Sequence, residues 1–144
     1  MITKLPLLDL QEALVGSINK RIDQGYFVYN KTHVLIKFLD KTSTIGLVPN
    51  PGSHSVEMDY SGEELWQYNY SFTIRTQSHS EAKNKLFEIS EYLQLLNQTK
   101  DLNSKNGSWE FDHIEFPGQP HEIQEDLQGT VMYQMDIAIF VYTK

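Results

Sequence analysis

The sequence predicts an α+β domain, an antiparallel sheet with two main helices on one face, its elements running α-β-β-β-β-α-β-β. Three observations predict it. Apolar residues recur every three to four positions in two separated stretches, the period of a helix with one buried side. Between and after those stretches they alternate with polar residues, the period of a strand. No repeat, linker or compositional break divides residues 1–144, so they read as one domain.

The first helix follows Pro6. Asp9 is its expected N-cap, with Glu12 completing an Asp-x-x-Glu pattern. Leu10, Leu14, Ile18 and Ile22 form its apolar stripe, and Gly25 stops it. Val34, Ile36 and Phe38 then suggest a strand, with a turn at Asp40-Lys41. Residues 44–48 suggest a second strand, closed by Pro49-Asn50-Pro51-Gly52. Val56, Met58 and Tyr60 alternate in a third, which turns at Ser61-Gly62. The clearest strand comes next: Trp66, Tyr68, Tyr70, Phe72 and Ile74 share one face, and its length and aromatic content predict a central place in the sheet.

Ser78 and Glu81 make a capping box for the second helix. Ala82, Leu86, Ile89, Leu93 and Leu96 form its core stripe, with Lys85, Glu88 and Glu91 expected on the outside. Residues 97–107 read as a polar loop. Residues 109–116 are an aromatic-rich strand whose alternation slips near His113-Ile114, the mark of a bulge. Pro117-Gly118-Gln119-Pro120 ends it, and residues 121–126 read as an exposed acidic loop. The last strand, 131–142, places Val131, Tyr133, Met135, Ile137, Ile139 and Val141 on one face.

Composition narrows the function. The chain has no cysteine, which excludes a thiol nucleophile and favours a reducing compartment. No apolar run approaches the roughly 20 residues of a membrane span. The four Asn-x-Ser/Thr triplets, at Asn30, Asn69, Asn97 and Asn106, are expected to be chance products of a polar sequence. The net charge of −7 repels phosphate and disfavours stable nucleic-acid binding, an RNA-binding sheet included. Lys20-Arg21 and Lys31 are read as the solvated side of the first helix and its exit.

Motifs of chemistry are few. There is no Gly-x-Ser-x-Gly elbow and no phosphate-wrapping glycine loop. His113 and Glu115 would share a strand face, and His121 follows, so these are the residues to weigh as metal ligands; a third ligand must converge within about 2 Å of the ion. Adjacent acids such as Glu63-Glu64 and Glu125-Asp126 read as solvated surface in an acidic chain. The aromatic stripe from Trp66 to Phe72 could stack bases or sugars, but lacks flanking cations other than Arg75; core or subunit contact is the expected role.

The ordered segments carry a resemblance. Val56-Glu57-Met58-Asp59-Tyr60-Ser61-Gly62-Glu63-Glu64-Leu65-Trp66 runs into Tyr70-Ser71-Phe72-Thr73-Ile74. The helix with Glu81, Ala82, Leu86, Ile89 and Leu93 follows, then Asn106-Gly107-Ser108-Trp109-Glu110-Phe111, and Gly129 to Tyr133 opens the last strand. Across residues 5–143 this order resembles the minor capsid or tail-terminator proteins of long-tailed phages and prophages of Gram-positive bacteria. The resemblance implies a virion protein, assembled in the host cytoplasm, without enzymatic activity or cofactor. It would form a homo-oligomeric ring, expected to be a hexamer, on the head-proximal end of the tail tube. Its partners would be the tube protein and the head connector, and DNA would pass through without specific binding.

A ring needs two different patches on each subunit. The candidates are the acidic turn of Ser61, Gly62, Glu63 and Glu64 with neighbouring Trp66, and the Pro-rich loop with Phe116, Pro117, Gln119, Pro120, Glu122 and Glu125. Two alternatives stand beside the terminator: another head–tail joining protein such as a connector stopper, and a small metal- or ligand-binding domain using the aromatic face with His113 and Glu115.

Overall fold

The computed structural model describes residues 9–36, 45–52, 54–58, 64–127 and 129–143. The turns expected at Asp40-Lys41 and Ser61-Gly62 lie outside them. The elements are α1 (Leu10–Asp23), β1 (Ile45–Pro49), β2 (His54–Met58), β3 (Glu64–Thr76), α2 (His79–Thr99), β4 (Trp109–Glu115), β5 (His121–Glu125) and β6 (Val131–Thr143). The class is the α+β one that the periodicities predict, with six strands, all named pairings antiparallel.

Among the described residues, which do not include Phe38, one strand fewer precedes α2 and one more follows it than the expected order has. Residues 34–36 form no regular strand; Leu35 makes a single parallel bridge, accepting from Leu47 N–H (2.8 Å) and donating to the Ile45 carbonyl (2.9 Å). Val34 is buried there but Ile36 is exposed. Conversely, residues 121–125 are not a loop but the edge strand β5, paired with β6. Its acids hid it, because a strand at an exposed edge needs no apolar alternation.

The sheet has a two-strand spine. β3 and β6 pair over their full 13 residues, from Glu64 opposite Thr143 to Thr76 opposite Val131. Each spine strand carries two short strands end to end on its outer side, β1 and β2 on β3, β4 and β5 on β6. β2, β4 and β5 each contain a bulge, whose extra residue is Val56, Asp112 and Ile123. The bulge predicted in the aromatic-rich strand is therefore at Asp112. Val56, expected on a regular strand face, is instead an exposed bulge residue.

Both predicted helical stripes are buried, and with the inward residues of β1, β3, β4 and β6 they form one core. Phe72, Leu86, Ile89 and Leu93 are among its fully enclosed side chains. α1 ends in a Schellman arrangement: Tyr26 N–H donates to Arg21 O (3.0 Å), Gly25 N–H to Ile22 O (3.0 Å), and Gly25 has φ +74°. Ser78 caps α2 by accepting from Glu81 N–H at 3.1 Å. That helix runs on to Thr99, past the predicted stop, and closes at Lys100 in the left-handed conformation.

Three polar residues lock the layers together. Asp9 makes no side-chain cap. Its carboxylate instead accepts from the Trp109 indole (2.6 Å), Ser104 Oγ (2.8 Å) and Lys105 N–H (2.8 Å), tying the start of α1 to the approach to β4. Burial pushes its pKa up, but these donors outweigh that and hold it below the ordinary value. Glu88, expected outside, accepts from the N–H groups of Val28, Tyr29 and Asn30 at 2.7–3.1 Å and so clamps the segment after α1. Asn97 donates to Ile114 O (2.9 Å) and accepts from Ile114 N–H (2.7 Å), sealing the outer edge of β4.

Candidate assembly surfaces

Alternate residues of β3 and β6 face away from the helices and make the second face of the sheet, the open face, so called because no described helix covers it. At its centre Ser71 Oγ donates to Asp136 Oδ1 (2.6 Å), Gln134 Nε2 donates to the same oxygen (2.7 Å), and Asn50 Nδ2 donates to Ser71 Oγ. Gln67 Nε2 donates to Asn69 Oδ1 at 2.9 Å. Ser71 and Thr73 are buried, although no described helix lies over them.

The first predicted patch is described only in part, since Ser61, Gly62 and Glu63 lie outside the described residues. Glu64 and Trp66 are joined, the indole N–H donating to Glu64 Oε2 at 2.7 Å. Trp66 stacks on Tyr68, centroids 5.8 Å apart, and both rings are half-buried on the core side of β3. Tyr70 beyond them is buried, and burial, with Tyr68 and Glu12 nearby, pushes its pKa up to about 12.

The second patch divides by position. Phe116 packs partly against the core, while Pro117 and Gln119 are exposed and Pro120 is half-buried. Phe116 and Pro117 border a hollow of about 430 Å³ over Ala138, with Gln67, Asn69 and Glu115 on its other sides. Glu122 and Glu125 lie on β5, on the same side of the sheet as Tyr133. Burial first, then these two carboxylates, raise the Tyr133 pKa. The described acids of the two patches stay apart. Glu64 stands opposite Thr143 and Glu125 opposite Val131, at the two ends of β6.

The histidines do not converge. His113 lies flat on Phe140, centroids 4.3 Å apart and planes 5° from parallel. Its Nδ1 is 2.5 Å from Asp112 Oδ2 and its Nε2 3.5 Å from Glu115 Oε1. His121 turns to the Gln119 carbonyl, His33 to Asp23, His54 to the Gly52 carbonyl and His79 to the Tyr133 hydroxyl. Among the described residues no group of three or more His, Asp or Glu side chains is arranged to hold a metal ion. Among them, too, no helix is long and apolar enough to cross a membrane.

Sequence reasoning missed the three locks and one surface residue. Leu127, in the turn between β5 and β6, is fully exposed. Its signal was an isolated apolar residue inside an acidic stretch, Glu125-Asp126-Leu127. Glu88 and Asn97 gave no local signal, because their partners are 58–60 and 17 residues away. Compared with known proteins, the chain matches no protein-family model and no curated protein.

Proposed function

We propose that this protein is a structural assembly subunit, a tail terminator that forms a ring on the head-proximal end of a phage tail tube and joins it to the head connector. The reading rests on the resemblance across residues 5–143. The observation that carries it in the structure is the contrast between the two sheet faces. One is covered by both helices. Over the other no described helix lies, and the polar side chains at its centre are already bonded to one another, which suits a wall held against a neighbour or a passage. Net charge fits the same role, because a subunit of charge −7 does not retain the phosphates of passing DNA.

The test is electron microscopy of particles assembled without the protein. A terminator predicts overlong tubes without heads. Full-length tails beside heads that leak their DNA would assign the chain to the connector stopper instead. Elemental analysis of the purified protein addresses the ligand-binding alternative, for which stoichiometric metal is the required result.

A further inference from the structure

A cleft and a knob stand at opposite ends of α2. The cleft, about 520 Å³, opens between α1 and residues 101–105. Ala13, Gly16 and Leu102 give it apolar lining, and Lys20, Arg21 and Lys105 supply cations. Glu12 and Asp101 also line it, leaving one excess positive charge in a chain of net −7. A Cβ on Gly16 would meet no atom within 4 Å, so the cleft is open to an incoming side chain there. The Arg21 guanidinium is held over the rings of Tyr26 and Tyr92 at 5.5 and 6.0 Å.

The knob is the turn between β5 and β6. Leu127 at its tip has a relative exposure of 106%, the highest of the exposed large apolar residues. The turn is braced: Asp126 N–H donates to Thr130 O (2.9 Å), Thr130 N–H donates to Asp126 Oδ1 (3.0 Å), and Gly129 has φ +83°. A braced tip loses little freedom on docking. Ile123 and the carboxylates of Glu122 and Glu125 are exposed on the strand leading to it.

Charge is divided the same way. Segments 9–36 and 77–108, which hold the helices, carry seven cations and seven carboxylates. Segments 64–76 and 109–143, which hold β3 to β6, carry eight carboxylates against the single cation Arg75. The helical segments are thus neutral and the β3-to-β6 segments net −7. The β5–β6 end of one copy is therefore repelled less by the helical end of another than by a second β5–β6 end, and the excess cation of the cleft is the local attraction.

We propose that Leu127 of one copy inserts into the α1 cleft of a second copy, with Glu122 and Glu125 set against Lys20 and Lys105. One chain cannot make this contact with itself. The knob lies by the start of α2, where His79 Nδ1 meets the Tyr133 hydroxyl at 2.7 Å, and the cleft lies beyond Tyr92. α2 has 21 residues, a length of roughly 30 Å. The contact is heterologous, so it propagates head to tail and closes into a ring where the rotation allows. It rests on the proposed assembly role for the expectation that copies meet, and on the cleft and knob for the surfaces they use.

Cysteine cross-linking tests it, because the natural chain has none. The double variant Leu127→Cys/Gly16→Cys, oxidised at high concentration, is expected to give a ladder of disulfide-linked multimers. By sedimentation, Leu127→Asp alone and Gly16→Gln alone should each weaken self-association at least about tenfold, the effect of losing a buried anchor. Mixed together, these two variants should form 1:1 dimers, since each retains the surface the other lacks. Absence of the ladder, or wild-type association by both single variants, overturns the proposal. Tail morphology is a separate readout: a ladder with normal tails rejects the terminator role alone, and overlong tubes without a ladder reject this contact alone.

Discussion

The two faces of the sheet come from alternate residues of the same two strands, yet they are closed by different means. On one, Phe72, Ile74, Met135 and Ile137 disappear beneath α1 and α2. On the other, Ser71 is as inaccessible as Phe72 with no described helix above it, and Asn50, Asp136 and Gln134 join in a hydrogen-bonded network around it. Burial therefore does not mark the core in this protein. The covered face depends on packing between layers, whereas the open face depends on bonds made within its own plane.

The comparison predicts a ranked set of effects. Phe72→Ala should cost the most, about 3–5 kcal/mol, through the lost transfer energy and the cavity left under the helices. Urea unfolding with an unchanged slope would register it as stability alone. Asp9→Ala should cost about 2 kcal/mol, since the buried Trp109 indole loses its acceptor. Its pH dependence has a definite sign. Because the folded pKa lies below the ordinary 3.8, the Asp9 contribution is complete above that value and is lost as pH falls through the folded one. The stability difference between wild type and Asp9→Asn should therefore narrow on acidification below about pH 4.

On the open face the effects shrink. Ser71→Ala should cost about 1 kcal/mol, as Asn50 and Asp136 each lose one bond in a partly wetted network. Gln67→Ala, further from that centre, should stay within about 0.5 kcal/mol. A loss at Ser71 as large as that at Phe72 would break the distinction, and would mean that the open face is covered in solution. Melting the purified chain at two widely spaced concentrations would then show whether a second copy is the cover.

Most of the covered face was legible in the sequence, because burying one side of an element imposes its period directly. Every residue predicted for the α2 stripe is buried, and so is every inward residue named for β6. Where two structures compete for one side chain, the local pattern misleads. Asp9 has the spacing of a cap, but a buried indole 100 residues away takes its carboxylate. The edge strand β5 was hidden for a related reason: its bulge at Ile123 breaks the alternation and its acids point to water. Of the candidate surface residues, Glu122 and Glu125 were expected in a loop with Phe116 and Pro117, and the structure places them on the edge strand β5. The sequence did not reveal Leu127, whose importance lies in exposure and not in any pattern.

The spine also bears on how the chain reaches this structure. β3 and β6 are the longest strands and form the most extensive pairing, but their nearest partners, Thr76 and Val131, are 55 residues apart in sequence. The farthest, Glu64 and Thr143, are 79 apart. No hairpin can nucleate that ladder, and β4 and β5 have nothing to pair with until β6 arrives. During synthesis β3 can pair with β1 and β2 as soon as it emerges, but its other edge stays open until β6 is made. Folding dominated by such distant contacts takes roughly milliseconds to seconds. Truncation within β6 should consequently yield aggregated chain and not a smaller soluble fold.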